Sequence, residues 1–160
     1  MTHRVGIGYD IHRIEAGNGL VIAGVTIPCE YRVIAHSDGD VVLHALCDAL
    51  LGAVGAGDIG EHFPDTDPSH RGRDSREFVF GVLAIPALKP WRVVNMDCNI
   101  IAQAPRLGPY KQTMRQTLAE MLSLPQGRIG VKARTNEGLD AVGACKAIQA
   151  QVVVLLEPVR

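Results

Sequence analysis

A strict alternation of side chains between Arg4 and His12 constrains the start of the chain to a β-strand. Four large side chains share one face of that strand: Val5, Ile7, Tyr9 and Ile11. Two glycines, a carboxylate and an imidazole share the other face: Gly6, Gly8, Asp10 and His12. Because side chains at i and i+2 of a strand point the same way, Asp10 and His12 can bind one ion, and the glycines leave room beside them.

A third imidazole, His44, lies on a predicted helix and completes a candidate metal site. Three N and O donors match the ligand set of a catalytic zinc site, whose fourth position stays open for water or substrate. The alternative is structural, because an isolated Asp-x-His pair commonly makes only a local hydrogen bond. His44 falls away from the apolar stripe of its helix, on a side that we expect to face solvent. Asp40 and Asp48 lie one turn away on that side, where they either pair with His44 or fix its tautomer.

Size, charge and cysteine spacing exclude several protein classes. The 160 residues fit one domain, spanning 1–160, that can bury about two-thirds of its unfolded surface. The net charge of −1 is evenly spread, which argues against nucleic acid, and the longest apolar run, 152–156, is too short for a bilayer. We expect no secretory signal and four reduced cysteines, hence a cytoplasmic protein, or one in an organelle lumen if a transit peptide was removed.

Hydrophobic periodicity predicts an α/β fold, an α+β sandwich whose sheet carries its helices on one face. Strands are predicted at 5–11, 20–22, 25–27, 93–101, 130–133 and 149–156, the second and third forming a hairpin and the last lying buried in the centre. One helix is predicted after a capping box with Ser37 as N-cap and Asp40 at N3, ending near Gly55 or Gly57. Further helices are predicted at 74–84 and 107–122. Residues 31–36 and 57–68 are predicted to be loops.

Three turns carry groups that suit phosphate. His36 and Ser37 precede a predicted helix N-terminus, where free N–H groups and the helix dipole favour an anion. Arg106 lies in a strand-to-helix turn. Residues 132–138 combine two cations, a hydroxyl and a carboxylate, which suits a phosphate clamp with Glu137 on a divalent ion. Each turn taken alone is read equally well as a cap or a solvated turn.

Short, specific motifs run in order along almost the whole chain. They are Gly8-Tyr-Asp-Ile-His12, Ala35-His-Ser-Asp-Gly-Asp40 with Leu43-His-Ala45, Gly57-Asp-Ile-Gly60, Phe63-Pro-Asp-Thr-Asp67, Ile101-Ala-Gln-Ala-Pro105 and Lys132-Ala-Arg-Thr-Asn-Glu-Gly-Leu139. Together these motifs resemble the 2-C-methyl-D-erythritol 2,4-cyclodiphosphate synthases.

This resemblance implies a homotrimer with active sites between subunits, in the non-mevalonate pathway to isoprenoids. Its members are phosphorus–oxygen lyases that convert 4-diphosphocytidyl-2-C-methyl-D-erythritol 2-phosphate to the 2,4-cyclodiphosphate and release CMP. The substrate's own 2-phosphate is the nucleophile, which is consistent with a chain that shows no nucleophile–base pair.

The resemblance also implies roles for individual residues. Asp10, His12 and His44 would bind Zn²⁺, and Glu137 would hold Mg²⁺ or Mn²⁺ shared with the diphosphate. His36 and Thr135 would stabilise the transition state. Substrate contacts would come from Asp10, His12, His36, Ser37, Asp58, Ile59, Gly60, Phe63, Pro64, Asp65, Thr66 and Asp67. The neighbouring subunit would hold the cytidylyl end with Ala102, Gln103, Ala104, Pro105, Arg106, Leu107, Gly108, Arg134, Thr135, Asn136 and Glu137.

One segment departs from the family pattern. Ala144 and Lys146 stand where the family often has arginine and glutamate, and Gln151 stands where an acid is sometimes found. In the family these positions surround a cavity near the trimer axis that can hold isoprenoid diphosphates. We therefore expect this chain to bind none there, or to bind one through Lys146.

Two other functions compete with cyclisation. A zinc hydrolase would cleave the nucleotide diphosphate with metal-bound water and leave a linear phosphate product. A trimeric nucleotide-binding or scaffold protein would keep the fold without turnover. The intact metal ligands argue against the scaffold, and the altered segment 143–148 is its only support.

Overall fold

A five-stranded sheet forms the centre of the computed structural model, which describes residues 2–159. The strands are β1 Arg4–Ala16, β4 Tyr31–Ile34, β5 Trp91–Ile101, β6 Ile129–Arg134 and β7 Ala147–Pro158, in the order β4-β1-β7-β5-β6. Only β5 and β6 run parallel, and the other neighbours pair antiparallel. A separate hairpin joins β2 Leu20–Ile22 to β3 Val25–Ile27, as predicted.

Helices pack on one face of this sheet, which confirms the predicted sandwich. They are α1 Val41–Val54, α2 Ile59–His62, α3 Ser75–Leu83 and α4 Lys111–Met121, while the one-turn α5 Asp140–Gly143 lies on the other face. The helix predicted at 107–122 is shorter than expected because it begins with a 3-10 turn, Gly108–Tyr110. No helix within residues 2–159 is both long and apolar enough to span a membrane.

Two predicted loops contain regular structure. Residues 31–34 form β4, which pairs with the last four residues of β1 at the sheet edge and is too short to show a period. The segment 57–68 contains α2, capped by the Asp58 carboxylate, and leads into a 3-10 turn, Pro68–His70, capped by Asp67. Local caps rather than hydrophobic periodicity form these short turns, which is why the pattern missed them.

The N-cap of α1 is Asp40, not Ser37. Oδ1 of Asp40 accepts from the backbone N–H groups of Val42 and Leu43 at 3.0 and 3.1 Å. The same carboxylate accepts from Ala23 and Gly24 in the turn of the hairpin at 2.9 and 2.6 Å. Burial raises the pKa of Asp40 to about 6, although the N–H groups of Gly24, Leu43 and Ala23 lower it by favouring the ionised form. One buried side chain thus caps the helix and attaches the hairpin to it.

The first two glycines of β1 let α1 approach the strand at backbone contact. A Cβ on Gly6 would lie 1.8 Å from the Ala49 carbonyl oxygen, and a Cβ on Gly8 would lie 1.8 Å from that of Ala45. Real side chains do not tolerate such distances, so only glycine fits here. The helix sits directly on the strand, and His44 therefore lies over the positions that follow Gly8.

Among the described residues, the opposite face of the sheet carries only the one-turn α5, whose Val142 packs against Ile101 and Ala147. Val5, Ile7, Tyr9 and Ile11 of β1 are exposed there, Ile7 to 70%. β7 is the central strand, as predicted, but it is buried on one face only, and Val153 remains 42% exposed on the other. A single copy of the chain thus presents an apolar sheet surface to solvent.

We expect Gly8→Ala to destabilise the fold and displace His44, because its methyl group would overlap the backbone of α1. Forcing an extra group into a packed contact costs about 1–3 kcal/mol or more. Chemical denaturation should show that loss, and zinc affinity should fall with it.

Gly127→Ala is the matched control, since no atom lies within 4 Å of a Cβ built there. Equal stabilities of the two variants would contradict the close contact between α1 and β1.

Candidate active site

Asp10, His12 and His44 bring three ligand atoms together above β1. His12 Nε2 lies 2.9 Å from Asp10 Oδ2 and 3.0 Å from His44 Nδ1, and the third side of the triangle, from His44 Nδ1 to Asp10 Oδ2, is 3.1 Å. These residues form the one group of three or more possible metal ligands among the described residues. The sequence prediction that they converge is confirmed.

The triangle fits a tetrahedral metal ion. Zinc–ligand bonds of about 2.0–2.1 Å place the ligand atoms of a tetrahedral site about 3.3–3.4 Å apart. The three observed separations are only slightly shorter, so a small outward movement of the side chains is enough to hold an ion. Two imidazoles and a carboxylate suit zinc, and also other divalent first-row metals.

Electrostatics already favour a cation at this point. Burial raises the pKa of Asp10, but hydrogen bonds and charge from His12 and His44 outweigh it and lower that pKa to about 2. Burial lowers the pKa of His44, and the hydrogen bond and charge of Asp10 outweigh it and raise that pKa. The Asp10 carboxylate is therefore ionised when metal arrives, and the ion takes the place of a proton on His44.

A hydroxyl and a second carboxylate orient His44 from its far side. His44 Nε2 lies 2.9 Å from Ser75 Oγ and 3.3 Å from Ser37 Oγ. Ser75 Oγ in turn donates to Asp38, which also accepts from the Ser75 backbone N–H at 3.0 Å. This chain makes His44 Nε2 a donor, so Nδ1 is the nitrogen that faces the metal position and binds an ion once its proton has left.

The expected partners of His44 were wrong, as was its expected exposure. Asp40 caps α1, and Asp48 Oδ1 accepts from the backbone N–H of Ile59 at 2.8 Å. The His44 side chain is only 13% exposed, because α1 is covered on nearly all sides and Phe78 packs edge-on against its ring. Ser75 was missed because it lies 31 residues away in the chain.

A cavity of about 590 Å³ opens beside the metal ligands. His12 and His44 form one wall, and the other predicted residues that line it are His36, Ser37, Ile59, Gly60, Phe63, Pro64, Asp65 and Thr66. His70 and Phe78 also line it and were not predicted. Asp58 and Asp67 instead cap the short turns on either side.

The prediction that free N–H groups at the N-terminus of α1 bind an anion is wrong. The N–H groups of Val42 and Leu43 are taken up by Asp40, which leaves them unavailable to a phosphate. Ser37 lies before the helix and accepts from the Gly39 backbone N–H at 3.1 Å. His36 and Ser37 reach the cavity as side chains of the loop, not as part of a helix N-terminus.

A second cavity, of about 430 Å³, lies between the ends of β5 and β6 and the start of α4. The predicted residues that line it are Ala102, Gln103, Pro105, Arg106, Leu107, Gly108, Arg134 and Thr135. Ala104 precedes Pro105 through a cis peptide bond. Ala133, Pro109 and Lys111 complete the lining.

Glu137 lies at the edge of this second cavity and is exposed. Its Oε1 accepts from Thr135 Oγ1 at 2.9 Å, and its backbone adopts a left-handed conformation with φ of 53°. The Asn136 amide turns away to Asp140 and to the Leu139 carbonyl. The chain therefore brings one carboxylate to this position rather than a cluster.

The two cavities share no lining residue and lie beside different strands of the sheet. The metal ligands come from β1 and the helix above it, whereas the second cavity lies on β5 and β6. From β1 to β6 the sheet order counts three strand steps, or about 14 Å at the usual spacing. One copy of the chain thus carries two separate cavities, each a candidate half-site.

Comparison with known proteins gives a consistent assignment. A model described as the YgbB family matches residues 3–157. The chain is 50% identical over 155 residues to the 2-C-methyl-D-erythritol 2,4-cyclodiphosphate synthase of Pseudomonas putida strain W619, covering 97% of this chain and 99% of that one.

Solved structures agree with the sequence match. A 2C-methyl-D-erythritol-2,4-cyclodiphosphate synthase in a CDP-bound form is 41% identical, with a TM-score of 0.88 over 96% of this chain and 100% of that chain. The bifunctional IspDF from Campylobacter jejuni is 36% identical, with a TM-score of 0.89 over 99% of this chain. The chain spans 43% of that bifunctional protein, so it corresponds to one part of it.

We expect Ser75→Ala to weaken zinc binding about 10–100-fold, because it frees the His44 ring while leaving all three ligands in place. Competition with a chromogenic chelator measures this affinity directly.

Ser37→Ala provides the comparison, because its hydroxyl lies farther from the same nitrogen and should cost less. Equal affinities for Ser75→Ala and the wild type would refute the orienting role of Ser75.

Proposed function

The chain belongs to the YgbB family, and we propose from this premise that it converts 4-diphosphocytidyl-2-C-methyl-D-erythritol 2-phosphate to 2-C-methyl-D-erythritol 2,4-cyclodiphosphate and CMP. The observation that carries the proposal is a ligand triangle at the mouth of a cavity, in a chain that matches cyclodiphosphate synthases along nearly its full length. It acts as a phosphorus–oxygen lyase in the non-mevalonate supply of isoprenoid precursors.

The reaction needs no nucleophile from the protein. An oxygen of the substrate's 2-phosphate attacks the β-phosphorus, a new P–O bond closes the ring, and the bond from the β-phosphorus to CMP breaks. The protein must hold two anionic groups side by side, and such orientation is worth about 7–11 kcal/mol of the barrier. The cavity that contains His36 and Ser37 is the place for the methylerythritol end, and Asp48 supports its wall by holding Ile59.

Charge on the transferred phosphoryl group is stabilised from both sides. We expect His36 to donate a hydrogen bond there, and Thr135 to do so by turning its hydroxyl proton away from Glu137, which accepts it in the free protein and is kept beside it by a left-handed turn. Asp10, His12 and His44 would hold Zn²⁺, and Glu137 would hold Mg²⁺ or Mn²⁺. When bound, these ions supply positive charge that neutralises the diphosphate oxygens.

The two half-sites meet between copies of the chain. We propose that the cytidylyl end and the methylerythritol end of one substrate bind cavities of different copies, because the two cavities of one copy share no lining residue. A neighbouring copy that places its β5–β6 edge beside β4 and β1 completes the site, and a head-to-tail contact of this kind closes into a ring. The exposed apolar face of β1 favours a homotrimer, because contact with neighbouring copies would remove this apolar surface from water.

We assign the enzyme to the cytoplasm. Cys29, Cys47, Cys98 and Cys145 are all free thiols, which supports a reducing compartment.

Phosphorus NMR of the purified protein with the cytidylyl substrate, zinc and magnesium tests the reaction. We expect a cyclic diphosphate to form together with an equal amount of CMP. Formation of CMP with a linear phosphate would instead show hydrolysis, and a zinc-loaded trimer without turnover would show a binding protein.

Mixing two inactive variants tests whether the site is shared. His12→Asn removes the metal half-site and Thr135→Val removes the other, so each variant alone should lose activity about 100-fold or more. In random trimers refolded from equal amounts, about one interface in four pairs an intact metal half with an intact nucleotide half. Activity should therefore recover to about a quarter of wild type, whereas a mixture as inactive as its parents would place both halves in one chain.

A further inference from the structure

His70 is a buried histidine that the proposed reaction does not yet use. It ends the 3-10 turn Pro68–His70 and is 9% exposed. Its ring packs edge-on against Phe63 and Phe78, with centroids 5.8 and 5.5 Å away. It lines the same cavity as His12, His36 and His44 but does not belong to the ligand triangle.

Arg73 fixes the tautomer of this histidine. Arg73 Nη1 lies 3.1 Å from His70 Nδ1, and a guanidinium can only donate hydrogen bonds. His70 Nδ1 must therefore be the acceptor, and the ring proton lies on Nε2. Arg73 is itself held in place by Glu77, which accepts from Nε at 2.7 Å, and by the face of Phe78 at 5.3 Å.

The Nε2–H group of His70 has no hydrogen-bond acceptor among residues 2–159. Asp67 Oδ2 is 3.8 Å away from it, which is beyond hydrogen-bond distance. Because His70 lines the cavity, a ligand oxygen there can accept this hydrogen in place of water, and a hydrogen bond to a charged oxygen is stronger than one to a neutral partner. The cavity beside it is where the methylerythritol phosphate is expected, and a phosphate oxygen is a strong acceptor.

We infer that His70 is a substrate-binding residue whose Nε2–H donates a hydrogen bond to a phosphate oxygen of the methylerythritol end. The inference rests on the proposed function, because that function supplies the phosphate. His70 and Arg73 act as one unit, in which the arginine occupies Nδ1 as a donor and leaves Nε2–H directed away from it. Phe63 and Phe78 hold the ring at the cavity wall, and Phe78 connects it to His44.

His70→Phe removes the N–H group and keeps an aromatic ring in the same packing. We expect KM for the cytidylyl substrate to rise at least about tenfold, as for a hydrogen bond to a charged group, with kcat within about threefold. Zinc content, melting temperature and CDP affinity should remain as in wild type, because CDP lacks the methylerythritol group. His70→Gln restores a donor and should recover most of the loss in KM.

His3→Phe, an exposed histidine that pairs with Glu157, is the matched control and should leave KM unchanged. A wild-type KM in His70→Phe would overturn the inference, as would a loss that appears equally in CDP affinity, zinc content or melting temperature. If the wild type itself forms no cyclic product, the proposed function fails and not the role of His70 alone.

Nitrogen NMR of histidine-labelled protein tests the tautomer without activity. In the free enzyme, His70 should carry its proton on Nε2, and Arg73→Met should release that preference while keeping an apolar contact with Phe78. A proton on Nδ1 in the wild type would overturn the inference whatever the kinetics show.

Discussion

The backbone contact between α1 and β1 is the constraint on which the site depends. Gly6 and Gly8 let the carbonyl oxygens of Ala49 and Ala45 lie where side chains would otherwise stand. Asp10 and His12 continue the same face of the strand, and His44 precedes Ala45 on the helix. If a side chain separated α1 from β1, His44 would lie out of reach of both strand ligands. The metal site therefore depends on the two glycines that allow the close contact.

The loop that precedes α1 fixes this packing from the other end. Asp40 ties the first turn of the helix to the hairpin, and Asp38 ties Ser75 of α3 to the same loop. Ser75 is the first residue of α3 and hydrogen-bonds His44 Nε2, so the orientation of the His44 ring depends on the position of α3. Burying polar groups is favourable here because each carboxylate accepts several hydrogen bonds, so the loop orients a ligand as well as joining elements. The further residue His70 depends on the same helix, since Phe78 of α3 packs against both rings.

The features of the fold and the site that depend on local sequence patterns were predicted correctly. The alternation of β1, the apolar stripe of α1 and the motifs around them located the ligand triangle and the sandwich. Asp40 was misread because Ser37 and Asp40 both suit an N-cap, and only the hairpin contact decides between them. Ser75, Phe78 and His70 could not be identified, because their contacts with the site are tertiary and span many residues. The roles of His36, Thr135, Glu137 and the nucleotide pocket stay predictions that rest on family resemblance and on the cavities that these residues line.

X-ray diffraction from zinc-loaded crystals, collected on both sides of the zinc absorption edge, tests the central claim most directly. The claim is that close packing of α1 on β1 builds a three-ligand metal site. An anomalous peak should lie about 2.0–2.2 Å from Asp10 Oδ2, His12 Nε2 and His44 Nδ1 in every copy. A fully loaded crystal with no peak at that point, or with its zinc bound by other residues, would contradict the account.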